Sequence, residues 1–143
     1  MKFVRATAIE LNRFYKEGKD KARAKPNDYM FAAINEDGKT CSALRLLPYS
    51  HFIFLRSVFT LPEHRGQNIA SQLIKHALKE SAIHFPGMPI YTLPTPPAKS
   101  LYLRLGFTIV STKDTPNELI ASYRRLKQDS KNSSIMVINQ GLG

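Results

Sequence analysis

The chain has only one cysteine, Cys41, and no tryptophan among its 143 residues. A single cysteine cannot form an internal disulfide, which suits a reducing compartment, and its apolar neighbours favour a small buried residue over a nucleophile. The four histidines are scattered, so the sequence contains no ligand spacing typical of a metal site. We therefore expect no metal cofactor.

Long apolar runs are also missing from the sequence. No segment approaches the roughly 20 apolar residues that span a bilayer, and the N-terminal residues lack the apolar core of a secretory signal. We therefore expect a cytoplasmic protein without a membrane partner. Hydrophobic residues nevertheless make up 43% of the chain, enough for the core of a single domain covering residues 1–143.

Acidic residues are scarce relative to basic ones, and the formal net charge is +10. This excess favours anionic partners such as nucleic acid, an acidic membrane, a polyphosphate cofactor or an acidic substrate, although a solvated basic surface would look the same. The basic residues are dispersed, and no zinc spacing, RNP-type aromatic run or helix-turn-helix pattern accompanies them. A nucleic-acid-binding domain is therefore the weakest alternative, and we expect no nucleic-acid partner.

Hydrophobic periodicity and turn signals predict strands and helices along the whole chain. Thr7 and Glu10 have the spacing of a capping box for a first helix that Gly18 ends, and residues 37–38 (Asp-Gly) are typical of a hairpin turn. A second capping box with an internal proline, at residues 115–118, predicts the start of the last helix. Strands are predicted over residues 3–6, 29–34, 40–47, 52–60, 90–93, 107–110 and 135–138.

This order of elements favours an α/β (α+β) fold with a mixed, mostly antiparallel sheet flanked by helices. The strands on either side of the most amphipathic helix, residues 52–60 and 90–93, could lie parallel and be joined by a right-handed crossover. The final strand, residues 135–138, could pair or exchange at the edge of a dimer, which leaves a homodimer open.

The most informative segment is residues 58–71, where a strand ends at a proline and small and polar residues lead into an amphipathic helix. The first turn of a helix has N–H groups without an intrahelical partner, and the helix dipole adds partial positive charge there. The segment is therefore suited to bind a phosphate or pyrophosphate group.

Two motifs in the sequence resemble those of a known family. Residues 65–70 (RGQNIA) resemble the acyl-CoA-binding signature Arg/Gln-x-x-Gly-x-Gly/Ala of the GNAT N-acetyltransferases. Residues 98–107 (AKSLYLRLGF) resemble the Ala-x-x-x-Tyr-x-x-x-Gly-Phe element of the same family. The order of strands and helices between residues 3 and 138 is also similar, so the resemblance covers nearly the whole chain.

The resemblance implies an enzyme, an acetyl-CoA-dependent N-acetyltransferase that moves the acetyl group directly to the amine of a small molecule or peptide. It also implies a cleft where the sheet splays apart to admit the acyl-CoA. Tyr102 would be the general acid that protonates the departing thiolate, since reference pKa values of roughly 10 for a phenol and 8.5 for a thiol are close. Implied contacts to acetyl-CoA are the backbone of Val58, Phe59 and Thr60 for the pantetheine arm, the N–H groups of Gly66, Gln67, Asn68, Ile69, Ala70 and Ser71 for the pyrophosphate, and the charge of Arg65.

The sequence departs from the family pattern in two respects. Asn68 replaces the central glycine of the signature, although asparagine is one of the few residues that tolerate the left-handed region. No carboxylate lies near Ile90, where a general base is often found, and Thr95 replaces a common asparagine. Deprotonation would then use another residue, ordered water or an amine that arrives neutral. Glu63 and His64 are candidates only because they are near in sequence.

The acceptor is predicted to carry negative charge. Lysines and arginines cluster after the first helix, in a region that borders the acceptor site of the resembled fold, at Lys16, Lys19, Lys21, Arg23 and Lys25. Arg45 and Arg56 lie within predicted strands, and a guanidinium group suits a carboxylate or phosphate. Each could instead form a structural ion pair or lie on an exposed face. The main alternative for the whole chain is a noncatalytic acyl-CoA-binding regulatory module.

Overall fold

The computed structural model describes residues 1–140. This part of the chain forms seven strands and four α-helices. The strands are β1 (Lys2–Arg5), β2 (Tyr29–Ile34), β3 (Thr40–Pro48), β4 (Ile53–Thr60), β5 (Ile90–Thr92), β6 (Thr108–Val110) and β7 (Ile135–Ile138). The helices are α1 (Ala8–Glu17), α2 (Ile69–His84), α3 (Lys99–Arg104) and α4 (Asn117–Asp129). None of these helices combines the length and apolar composition of a membrane span.

The strands form one mixed sheet in the order β1-β2-β3-β4-β5-β7-β6. Neighbouring strands are antiparallel except β4 and β5, which are parallel and joined through α2. The Asp-Gly turn at residues 37–38 connects β2 and β3 as a hairpin. The predicted mixed, mostly antiparallel fold and the parallel pair around α2 are therefore confirmed.

The predicted position of the final strand at a sheet edge is wrong. β7 lies between β5 and β6, and Met136 stands opposite both Thr92 and Ile109. Ile135, Met136 and Val137 are all buried, as expected for a strand that is paired on both sides.

Helices α1 and α2 cover opposite faces of the sheet. Alternate residues of a strand point to opposite faces, and in β2 Phe31 packs with the α2 cluster whereas Met30 packs with the α1 cluster. The buried side chains of α2 include Leu73, Ile74 and Ala77, and those of α1 are Leu11, Phe14 and Tyr15. The two helices thus cover the hydrophobic core on both faces of the sheet.

The first predicted capping box is confirmed and the second is wrong. The Thr7 amide donates to Glu10 Oε1 at 2.9 Å, and the Glu10 amide donates to Thr7 Oγ1 at 3.2 Å. The Thr115 hydroxyl instead donates to the carbonyl of Ser111 at 2.8 Å, so it closes the preceding turn. Helix α4 begins at Asn117 without a side-chain cap.

Gly18 caps the C-terminus of α1 as predicted, but the glycine there avoids a steric collision and does not supply a left-handed backbone. Its φ is −78°, and the following Lys19 adopts the positive φ of 58°. A Cβ atom at Gly18 would collide with Cε2 of Phe59 and lie 2.8 Å from its Cζ. The ring of Phe59 on β4 thus occupies the place of a side chain at residue 18.

Candidate active site

A cleft opens where β4 and β5 separate. The two strands pair only between Ile53–Leu55 and Ile90–Thr92, after which β5 ends and β4 continues to Thr60. The Thr92 hydroxyl donates to the Leu55 carbonyl at 2.9 Å at the last paired position. Beyond it lies a cleft of about 770 Å³, lined by residues of β3 to β5, α3, α4 and the loop 18–28.

A bulge in β4 shapes one wall of this cleft. Ala43 stands opposite Phe59 but Arg45 stands opposite Arg56, so β4 contains one more residue than β3 between these pairs. Ser57 lies within this stretch and has a φ of 59°, which a serine rarely adopts. Bulges of this kind change the direction of a strand, and the residues that follow, Val58 to Thr60, line the cleft.

The turn into α2 presents a row of unpaired amides. Gly66 and Asn68 have φ values of 80° and 63°, so both adopt the left-handed conformation. Within residues 1–140, no protein acceptor pairs with the amides of residues 66–71, and the first bond of α2 runs from Gln72 N–H to the Asn68 carbonyl at 3.2 Å. Asn68 thus adopts the left-handed conformation that glycine would supply at this position of the family signature.

These amides border a second, smaller hollow of about 190 Å³. His64, Arg65 and Arg104 contribute basic or titratable side chains to its lining. Arg65 also lines the main cleft, where its Nε donates to the Thr60 carbonyl at 3.0 Å and its guanidinium lies 5.6 Å from the Phe59 ring centre. Unpaired amides and cations around a hollow fit a pyrophosphate group.

Tyr102 of α3 lines the cleft. Its side chain is 4% exposed, and its ring packs edge-on against Phe107 with centroids 5.2 Å apart. Burial raises the pKa of Tyr102 to about 12, although the Thr92 hydroxyl acts in the opposite direction. The phenol therefore keeps its proton at neutral pH and can act as a donor.

The two strand arginines have different environments although they stand opposite each other in the sheet. Arg45 is buried, and its Nη1 donates to Asp28 Oδ2 at 2.7 Å while Nε and Nη2 donate to Ser57 Oγ at 3.1 and 2.9 Å. Arg56 is exposed, and no carboxylate within residues 1–140 lies within salt-bridge distance of it. Desolvation by the surrounding protein and the charge of Arg45 lower the pKa of Arg56, although the residue as a whole is exposed.

The basic segment after α1 forms one wall of the cleft without regular secondary structure. Its lining side chains include Lys21, Arg23 and Lys25, whereas Lys16 and Lys19 lie elsewhere. The side chain of Asn12 on α1 holds the main chain of this segment at Ala24. The Ala24 amide donates to Asn12 Oδ1 at 2.6 Å, and Asn12 Nδ2 donates to the Ala24 carbonyl at 3.0 Å. Charge at this end of the cleft is therefore carried by an ordered loop.

The two candidates for the general base are not in the cleft. Glu63 pairs with Lys39 at 3.5 Å on the surface, and His64 borders the smaller hollow near the amides. Among the cleft-lining residues that the structure describes, the carboxylate belongs to Asp20, whose Oδ1 accepts from the Ala22 amide at 2.8 Å. Within residues 1–140 no group of three or more His, Cys, Asp or Glu side chains could hold a metal ion.

Sequence reasoning missed Asp20 and Ser57 as cleft-lining residues. It also missed Tyr15 and Asp28, which bond to the Ser57 carbonyl and to Arg45. Tyr15 has the sequence pattern of a core residue. Asp20 and Asp28 lie in a segment whose lysines and arginines dominate its charge, so their sequence positions did not indicate a role. Ser57 has no local signal, since its bulge results from the pairing of β4 with β3.

The chain matches a family model described as an acetyltransferase (GNAT) domain over residues 26–109, more than half of its length. It belongs to the GNAT acetyltransferases. The match includes the bulge, the amides of residues 66–71 and Tyr102, but ends before α4 and β7. No curated protein matches this GNAT chain in sequence.

Solved structures with a similar fold include the ribosomal-protein-S18-alanine N-acetyltransferase from Escherichia coli, with a TM-score of 0.73, 12% identity, and coverage of 99% of this chain and 95% of that one. A phosphinothricin acetyltransferase from Sinorhizobium meliloti, solved with AcCoA, has a TM-score of 0.67, 13% identity, and coverage of 99% and 89%.

An N-acetylglutamate synthase from Neisseria gonorrhoeae, solved with coenzyme A and N-acetyl-glutamate, has a TM-score of 0.68 and 13% identity. That similarity covers 97% of this chain but only 35% of the synthase, so this GNAT chain spans about a third of that protein. At these identities the similarity establishes the fold, and the acceptor has to be inferred from the cleft itself.

Proposed function

We propose that this single domain is an N-acetyltransferase that moves the acetyl group of acetyl-CoA directly to the amine of an acidic acceptor. The observation that carries the proposal is the row of unpaired amides at residues 66–71, beside a cleft that contains a buried, protonated Tyr102. Family membership supports acyl transfer in general. A cytoplasmic location and a homodimer stay predictions from the sequence.

The residues present fit coenzyme A. The amides of residues 66–71 and the cation of Arg65 would hold the pyrophosphate, because both supply positive potential to an anion. The main chain of Val58, Phe59 and Thr60 borders the cleft and would pair with the pantetheine arm in the manner of an added strand. When bound, the cosubstrate supplies an activated thioester.

Tyr102 would donate its proton to the sulfur that leaves when the amine nitrogen attacks the acetyl carbonyl. Burial keeps the phenol protonated but also makes it a weaker acid, since its pKa of about 12 exceeds the roughly 8.5 of a free thiol. The same low-dielectric cleft raises the pKa of any thiol held within it, because burial disfavours the thiolate. The difference between the pKa of the buried phenol and that of a thiol held beside it is therefore smaller than the difference from a free thiol.

Strand β5 has no carboxylate that could accept the proton of the amine, so another group would have to do so. Asp20 lines the cleft and, within residues 1–140, has no ion-pair partner, so one of its oxygens can bind an ammonium group or a water molecule. We include Asp20 in the proposal as the residue that holds the amine and passes its proton to solvent.

The acceptor would carry a carboxylate or phosphate. Arg56 is exposed in the cleft without an acidic partner among the described residues, and Lys21, Arg23 and Lys25 line the same wall. Arg45 supports this role less well, since its donors already bond to Asp28 and Ser57. Arg56 is therefore our first choice for the residue that selects the acceptor.

The test combines calorimetry with an acceptor screen. Titration with coenzyme A should release or absorb heat, and acetyl-CoA should be consumed with acidic amines, such as acidic amino acids and peptides, faster than with neutral amines or polyamines. Absence of binding would contradict the proposal. Binding without turnover of any amine would favour the noncatalytic acyl-CoA-binding module, for which the absence of a base on β5 is the supporting observation.

A further inference from the structure

The bulge of β4 is held by a buried polar network that the acetyl-transfer chemistry does not itself require. The hydroxyl of Tyr15 donates to the Ser57 carbonyl at 2.7 Å. Arg45 donates twice to the Ser57 hydroxyl, and its remaining nitrogen pairs with Asp28. Tyr15 is fully buried, and the side chains of Arg45 and Asp28 are only 6% and 7% exposed.

Three separate segments therefore converge on one residue in an unusual conformation. Tyr15 comes from α1, Asp28 from the loop before β2, and Arg45 from β3. Tyr15 binds the main-chain carbonyl of Ser57, Arg45 binds its side chain, and Asp28 in turn binds Arg45. The φ of 59° at Ser57 is uncommon for a residue with a Cβ atom. A buried ion pair is weak evidence for stability, because apolar residues of similar size often serve a core equally well. Its arrangement here points to a positional role.

We propose that Tyr15, Asp28 and Arg45 are positioning residues that hold the β4 bulge at Ser57 in the form that binds the cosubstrate. Ser57 immediately precedes Val58, so its backbone angles determine how the main chain of residues 58–60 faces the cleft. This inference rests on the proposed function, and it assigns Arg45 to the coenzyme side of the cleft and not to the acceptor.

The central test compares two tyrosines that each donate one hydrogen bond to a main-chain carbonyl. Tyr15→Phe removes the bond to Ser57, and Tyr91→Phe removes a bond of 3.1 Å to the Asp114 carbonyl, outside the cleft lining. We expect Y15F to raise the Kd for coenzyme A about fivefold, the value of one typical hydrogen bond, and Y91F to leave it unchanged. The KM for the acceptor should stay within about twofold in both variants.

The outcomes separate this inference from the proposed function. If the unmodified protein binds no coenzyme A, the proposed function fails. If it binds and Y15F matches Y91F in Kd, the positioning role is overturned. An equal rise of Kd and acceptor KM in Y15F would also overturn it, because general loosening of the fold affects both ends of the cleft.

A second pair of variants keeps the inference testable if Y15F does not fold. Ser57→Ala and Ser57→Gly both remove the hydroxyl that Arg45 binds, but only glycine adopts a positive φ without steric cost. We expect S57A to bind coenzyme A more weakly than S57G. Equal affinity of S57A and the unmodified protein would show that the network does not hold the binding conformation.

Discussion

The two ends of the candidate site, the hollow beside residues 66–71 and the cleft wall formed by the loop 18–28, are built from different parts of the chain. At the coenzyme end, the candidate ligands are main-chain amides from one continuous segment, residues 66–71. At the acceptor end, the candidate ligands are side chains from β4 and the loop 18–28. Main-chain amides are largely independent of residue type, whereas side chains determine charge and reach. The chain can therefore retain one cosubstrate while its acceptor changes.

The largest expected effect belongs to Tyr102, which lines the same cleft as Arg56 and the loop 18–28. Tyr102→Phe should lower kcat roughly 100-fold or more, because general acid catalysis contributes on that scale, while the Kd for coenzyme A changes little. Steady-state kinetics and calorimetry measure the two quantities. Since burial raises the pKa of Tyr102 to about 12, its ionisation should cause no loss of activity between pH 7 and about pH 10. A kcat of Y102F close to that of the unmodified enzyme would remove Tyr102 from the mechanism.

The next largest effect tests the acceptor end. Arg56→Ala should raise the KM for an acidic acceptor about tenfold, since a charge-assisted hydrogen bond is lost, and leave the Kd for coenzyme A unchanged. Arg13→Ala is the matched control, because Arg13 is exposed on α1 and does not line the cleft. If Arg56→Ala changed the acceptor KM and the Kd for coenzyme A by the same factor, Arg56 would not act on the acceptor alone.

The smallest effect tests the coenzyme end. Asn68→Ala should weaken coenzyme A binding about fivefold, because alanine is disfavoured by about 1 kcal/mol in the left-handed conformation, whereas Asn68→Gly should bind as well as the unmodified protein. Calorimetry of the three proteins measures this order. Equal Kd values for the alanine and glycine variants would show that the conformation of residue 68 does not control the site.

Features of the fold that depend on residues close together in the sequence could be predicted from it. The capping box at Thr7, the turn at residues 37–38 and the start of α2 depend on residues a few positions apart, and all three are confirmed. The predicted cap at Thr115 is wrong because its hydroxyl bonds backwards to Ser111. The Thr115 hydroxyl could bond either to the helix that follows it or to the turn that precedes it, and the local sequence does not distinguish the two.

Features that depend on distant segments could not be predicted. Arg45 and Arg56 have the same appearance in sequence, but one pairs with Asp28 and Ser57 while the other stays exposed. The difference arises from the register of β3 and β4 and from a loop 17 residues upstream of Arg45. For the same reason the position of β7 between two strands was missed.

The contact between Gly18 and the Phe59 ring has a consequence for recognising related proteins. Because the ring fills the volume of a side chain at residue 18, even a methyl group there would require the Phe59 ring or the loop that follows α1 to move. Homologues that share this loop placement should keep glycine at the equivalent position whenever an aromatic residue stands at the equivalent of Phe59. This pair of residues is therefore a criterion for recognising sequences that place the loop after α1 in the same way, before any substrate is known.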